Sequence, residues 1–377
     1  MNILYFTHYA GVGGANKSMV DMCVQLRHEG INPYVVIPTS GQIENVLKEN
    51  NIEYSIFPYL NWICDKNRNC DTFFHKIKML RRSLINKRLL PLIAKFAREH
   101  KIDIIHTNDS LTVEGYLLSK YMKLPHVWHI REFLDDDYKL KFAYSDKYVF
   151  RCYNDSDAVI SISKTIMMKY INMIPAIRLA YNGIYLPDIS YKKKENDCLN
   201  VVFAGGGAES KGIDDVLSAM RLLYNKNMAI HFTIMGNMLD EDKNVISQEF
   251  DLSYCDCVGF TSNVSEIYSK SDIVLVASKK EAFGRVTIEG MLHSCAVIAS
   301  DTGANLELIE DGITGLLYKC GDASSLANKI EKLYYDRDLL SSISFHSFQH
   351  AKQNYTMQAA AKHYIEIYND VVLKRNK

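Results

Sequence analysis

Residues 271–315 read SDIVLVASKKEAFGRVTIEGMLHSCAVIASDTGANLELIEDGITG. Ile273 to Ala277 is an apolar run that ends in Ser278–Lys279, the pattern of a buried parallel strand delivering a loop to the edge of a sheet. Glu281 lies in that loop, and Phe283–Gly284 permit a tight turn. A helical pattern starts near Arg285, with Val286, Ile288, Met291 and Leu292 at three- and four-residue spacings. Glu289 lies on that helix. The amides around Gly284 to Val286 therefore point out of a helix N-terminus, an anion site with a carboxylate on either side. That arrangement suits a ligand with phosphate in its middle and hydroxyls at both ends, as in a nucleotide-sugar.

Working outward, the same strand, glycine loop and helix recur twice. Leu199 to Ala204 reads as a strand, followed by Gly205–Gly206–Gly207–Ala208–Glu209–Ser210–Lys211–Gly212 and a helix from Asp214. At the start of the chain, Ile3 to Phe6 precedes Gly11–Val12–Gly13–Gly14 and a helix over Lys17 to Arg27. Each is the opening βα unit of a Rossmann-like sheet, where glycines allow close backbone approach and the helix favours phosphate. Ile102 to His106 and His126 to Ile130 read as strands of the first sheet, which puts His106 and His129 near C-terminal strand ends, where α/β sheets bind ligands. Asp155–Ser156–Asp157 runs straight into the apolar Ala158 to Ile162, so it reads as a loop entering a strand rather than a metal site; Asp135–Asp136–Asp137 reads as a solvated loop.

Set between strand and helix, EAFGRVTIEG resembles the signature of the retaining GT-B glycosyltransferases called glycosyltransferase family 4, or glycosyl transferases group 1. Their pattern is an acidic residue, seven intervening residues and a second acidic residue, with Phe–Gly just after the first. The resemblance implies an α/β fold of two Rossmann-like domains facing a cleft: 1–185 with a C-terminal helix, 355–377, crossing back to it, and 186–354. It implies metal-independent transfer of a hexosyl group from a nucleoside-diphosphate sugar, with no other cofactor and with retention at the anomeric carbon. Carried onto this chain, Glu281, His129 and Lys211 become catalytic. Glu289 takes the ribose, Phe283, Gly284 and Arg285 surround the donor, Gly259 and Phe260 lie against the base, and Gly13 and Gly14 lie near the donor diphosphate and acceptor. Two positions depart from the pattern. Gly206 stands where the family has a diphosphate-binding arginine, leaving Arg285 as a compensating cation, and Gly303–Ala304 replaces a frequent double glycine.

The 377 residues suit two domains, and an apolar content of 47% allows two cores. Zero formal net charge makes no case for nucleic acid. Nine scattered cysteines, including Cys64/Cys70 and Cys255/Cys257, lack a second pair at zinc spacing, so reduced thiols in a cytoplasm are expected. Residues 66–101 differ in character: Lys66, Arg68, Lys76, Lys78, Arg81, Arg82, Lys87, Arg88, Lys95, Arg98 and Lys101 oppose only Asp71 and Glu99, with apolar residues between. They predict one or two basic amphipathic helices broken around Pro91, either packed on the sheet or lying on anionic lipid at the inner membrane face. The second placement implies a lipid-linked acceptor rather than a free glycan. Two rival functions remain open, a nucleotide-sugar epimerase of the same architecture and a non-catalytic nucleotide-sugar-binding subunit.

Overall fold

The computed structural model describes residues 1–67, 69, 72–134, 139–186, 190–251, 253–261 and 263–375. Arg68, Cys70, Asp71 and Asp135–Asp136–Asp137 lie outside the described residues. The chain divides into two units, Met1–Tyr185 with Met357–Lys377, and Leu186–Thr356.

In the first unit the strands are β1 (Asn2–Phe6), β2 (Asn32–Ile37), β3 (Glu53–Ile56), β4 (Ile63–Asp65), β5 (Ile104–Thr107), β6 (His126–Ile130), β7 (Leu140–Phe142), β8 (Ala158–Ser161) and β9 (Ile177–Leu179). Seven of them form a parallel sheet in the order β3-β2-β1-β5-β6-β8-β9, while β4 and β7 pair antiparallel as a separate ribbon. Strand order reverses between β1 and β5, which marks their C-terminal ends as the ligand-binding edge. The sequence of β1 shows why both faces are covered. Ile3 and Tyr5 enter a core shared with the helices Gly14–His28 and Met357–Arg375, while Leu4 and Phe6 enter a second core on the opposite face. The C-terminal helix is part of the first core: Tyr364 and Tyr368 are buried, and the Tyr368 hydroxyl lies 2.7 Å from that of Tyr5.

The basic segment forms one continuous helix, Phe73–Glu99, and does not break at Pro91. Pro91 is exposed, as is Lys87, whose carbonyl loses its partner four residues on. Water can satisfy that carbonyl, so the missing bond costs too little to end the helix. Deeper in the unit, His126 opens β6 with Nε2 2.8 Å from Thr107 Oγ1 and Nδ1 2.9 Å from Ser156 Oγ. Burial, with Lys120 and Arg375 nearby, pushes this imidazole down to about 3. Below about pH 6.5 the unfolded chain binds a proton that the folded unit refuses, so stability is lost as pH falls. The advantage of the wild type over His126→Gln should shrink by about 2 kcal/mol between pH 7.5 and pH 5. Urea midpoints at the two pH values check this, and a constant difference would contradict it.

The second unit holds β10 (Leu199–Phe203), β11 (Ile230–Met235), β12 (Cys255–Gly259), β13 (Ile273–Val276), β14 (Ala296–Ser300) and β15 (Leu316–Tyr318), all parallel, in the order β12-β11-β10-β13-β14-β15. Its order reverses between β10 and β13, which pair from Val201↔Ile273 to Phe203↔Leu275. The loops that follow these two strands therefore emerge side by side.

Candidate active site

In the second unit the loops after β10 and β13 are clamped together. Lys279 N donates to Ser210 O at 2.9 Å, which holds the short turn Glu209–Lys211 against the β13 loop. Lys211 Nζ consequently lies 3.3 Å from Glu281 Oε2, with the lysine half-exposed and the glutamate largely covered. The other Glu281 oxygen, Oε1, accepts from Gly284 N at 3.1 Å. Gly284 caps the helix Arg285–Leu292, so a carboxylate and a helix N-terminus from one loop converge with an amine from its neighbour.

The backbone of Glu281 is fixed from behind. Ala304 N donates to Glu281 O at 2.8 Å, and a β-carbon on Gly303 would sit 2.2 Å from that same oxygen. Gly303 also has φ +54, so the first glycine of the Gly303–Ala304 pair is required here while Ala304 is tolerated. Phe283 is buried and anchors the loop. Arg285 Nε donates to Glu289 Oε1 at 2.8 Å. The guanidinium expected to replace the missing arginine is therefore engaged with the carboxylate expected to take ribose. At the far edge, Gly236 N donates to Gly259 O at 2.7 Å, and Phe260 beyond it is 83% exposed, an aromatic face presented to solvent.

In the first unit the ends of β1, β5 and β6 assemble a second polar cluster. Asn16 is buried; its Oδ1 accepts from Thr7 Oγ1 at 2.6 Å and its Nδ2 donates to Gly11 O at 2.8 Å, which shapes the loop leading to Gly13. Gly13 is the N-cap of Gly14–His28, and a side chain there would strike the Tyr9 hydroxyl; the space around Gly14 is open. Asp109 is buried and accepts from His8 N at 3.0 Å, Leu111 N at 2.9 Å and the His8 ring Nδ1 at 2.9 Å. Burial opposes protonation of His8, but the Asp109 carboxylate outweighs it and raises the pKa. In the neutral form, with Nδ1–H turned to Asp109, the imidazole keeps an acceptor at Nε2 on a ring that is 22% exposed. Glu132, held by Ser110 N at 2.7 Å, is pushed up by burial and by Asp109. The sequence reading missed His8 and Asp109; both directly follow strands that flank the reversal in strand order, and that position is the signal that finds them.

His129, which the resemblance makes catalytic, is 0% exposed, with its ring 5.6 Å from that of Tyr364 on the C-terminal helix. His106 is similarly covered, Nδ1 lying 2.8 Å from Tyr368 Oη. Burial, then Arg131, holds both imidazoles well below the usual range, hence neutral. The tip of β6 instead carries Arg131, whose Nη1 donates to Asn182 Oδ1 at 2.6 Å and Nε to Asn108 O at 2.8 Å. Asp155 and Asp157 are tied to Lys120 and Arg375. Among the described residues no three His, Cys, Asp or Glu side chains converge to hold a metal ion.

The profile described as Glycosyltransferase Family 4 matches residues 12–186, and that described as Glycosyl transferases group 1 matches residues 189–347. The chain is a family 4 glycosyltransferase of the GT-B fold. This glycosyltransferase is 26% identical over 325 residues to an uncharacterized glycosyltransferase of Methanocaldococcus jannaschii, covering 81% of this chain and 88% of that one. It is 24% identical over 309 residues to the N,N'-diacetylbacillosaminyl-diphospho-undecaprenol alpha-1,3-N-acetylgalactosaminyltransferase of Campylobacter jejuni, covering 74% and 80%. In fold it is similar to Anabaena Alr3699/HepE in complex with UDP, with a TM-score of 0.77 and 20% identity over 98% of this chain and 100% of that one. The Anabaena protein has also been solved with UDP-glucose.

Proposed function

We propose that this glycosyltransferase moves a hexosyl group from a nucleoside-diphosphate sugar to a hydroxyl of a glycan or lipid-linked acceptor, in the synthesis of a cell-surface polysaccharide or glycolipid, with retention at the anomeric carbon and without a metal. The observation that carries the reading is the convergence of Lys211, Glu281 and the Gly284-capped helix where strand order reverses. Departure of the diphosphate develops negative charge, which Lys211 and the first-turn amides of the helix are placed to stabilise. Glu281 accepts hydrogen bonds from sugar hydroxyls, each charge-assisted bond contributing about 1.5–3 kcal/mol. Glu289 takes the ribose hydroxyls, sharing its carboxylate with Arg285. Gly259 and Phe260 offer the base a backbone edge and an aromatic face. Gly13 and Gly14 keep the first-unit helix N-terminus open to a phosphate or acceptor. His8, backed by Asp109, orients the acceptor hydroxyl, while the leaving phosphate takes its proton.

The Anabaena complexes support uridine nucleotides as the first donors to test, and the Campylobacter relative's name supports a polyprenyl-diphosphate acceptor. In a thermal-shift screen, the matching nucleoside-diphosphate sugar at about 100 Kd should raise stability by about 2.7 kcal/mol. Release of nucleoside diphosphate should then require an acceptor, with the product's anomeric configuration read by NMR. A shift with no turnover by any acceptor would favour the binding subunit, which Gly206 motivates; isomerised donor would favour the epimerase.

A further inference from the structure

We propose that the N-terminal half of the Phe73–Glu99 helix is a docking face for an anionic lipid surface. Phe73 and Phe74 are 72% and 83% exposed, and Ile77, Leu80 and Leu84 are exposed as well. At about 100° per residue, Phe73, Ile77, Leu80 and Leu84 fall within about 60° of one another, a continuous apolar edge. The seven residues that the helix buries, Met79, Leu90 and Ile93 among them, centre about 130° away from that edge. The exposed stripe is therefore a second apolar face, not the margin of the core.

The charge around the stripe selects its occupant. Lys76 and Lys87 border one side and Arg81 and Arg88 the other, all exposed, and the helix carries no acidic residue before Glu99. A second copy of the same face would bring these eight cations together around a shared apolar seam, which opposes self-association. An anionic lipid leaflet meets both needs: headgroups neutralise the flanking cations while the phenylalanines enter the acyl boundary. The helix then lies in the plane of the interface, because no helix is long and apolar enough to cross it among the described residues. The proposal does not depend on the donor reading, since the helix belongs to the first unit alone.

The test is flotation of the full-length protein with vesicles of phosphatidylcholine alone or with about one third phosphatidylglycerol. The protein is expected to float with the anionic vesicles at low salt and to be released as salt rises. Each basic residue near such a surface contributes about fivefold, so the triple variant Lys76→Gln, Arg81→Gln, Lys87→Gln should bind about 100-fold more weakly. Phe73→Ser with Phe74→Ser should also lose binding, and both variants should keep the wild-type melting temperature because every altered side chain is exposed. Indifference to phosphatidylglycerol, or wild-type binding by either variant, would overturn the proposal. So would a concentration-dependent dimer in sedimentation that Phe74→Ser dissolves, because a second copy would then cover the stripe.

Discussion

Lys211→Met should lower kcat by about 10²–10³ while changing donor affinity much less, the usual loss when one preorganised charge-stabilising group is removed. The lysine stands 3.3 Å from Glu281 and is half-exposed, so in the resting site it is a cation with one carboxylate partner and room to turn. A diphosphate gains negative charge only as the glycosidic bond breaks, so an amine beside it gains most in the transition state. Loss of kcat and kcat/KM together, with donor binding by calorimetry nearly unchanged, is the expected signature. Lys211→Arg keeps the charge but replaces a compact ammonium with a planar fork, and should recover only part of the rate. Glu281→Gln should behave differently. It weakens hydrogen bonds to sugar hydroxyls in both ground and transition states, and so should also raise donor KM. A Lys211→Met enzyme with wild-type kcat would remove the amine from the chemistry.

Much of this site was legible because its parts are local. The apolar run before Ser278, the Phe–Gly turn and the acidic spacing are fixed by strand, cap and helix periodicity within one βα unit, and β13 and the helix Arg285–Leu292 formed where the pattern put them. What was not legible depended on distant chain. His129 lies on a strand read as ending at the ligand edge, but pleating turns its ring into the helix layer, and the tyrosine that covers it is 235 residues away. His8 and Asp109 are 101 residues apart and meet only because β1 and β5 are neighbours in the sheet. Pro91 was read as a breaker by its propensity alone, although its side of the helix faces water. The two faces of Phe73–Glu99 were merged in the sequence, since apolar residues on opposite sides of a helix give no single period.

Gly206→Arg, which puts the family's arginine back in place, should lower the melting temperature without raising kcat. Gly206 has φ +57, and a β-carbon there would lie 2.4 Å from the Asn237 carbonyl oxygen and 3.1 Å from its nitrogen. Two backbone bonds pin the contact, Gly206 N to Met235 O at 2.9 Å and Gly207 N to Asn237 O at 2.8 Å. The left-handed backbone alone costs an L-residue about 1–2 kcal/mol, and moving Asn237 adds a comparable amount. For a unit of this size each kcal/mol corresponds to about 2–4 °C, so a drop on the order of 5–15 °C is expected by calorimetry. Gly206→Ala separates backbone from charge: the collision is at the β-carbon, so alanine should lose nearly as much as arginine. If Gly206→Arg instead melts like the wild type and turns over faster, the loop can open and an arginine site is latent in it. If both variants are destabilised, the loop conformation itself excludes the second cation. Compensation for the leaving diphosphate then falls to Lys211 and the helix amides, and the loss on removing Lys211 should lie at the upper end of its range.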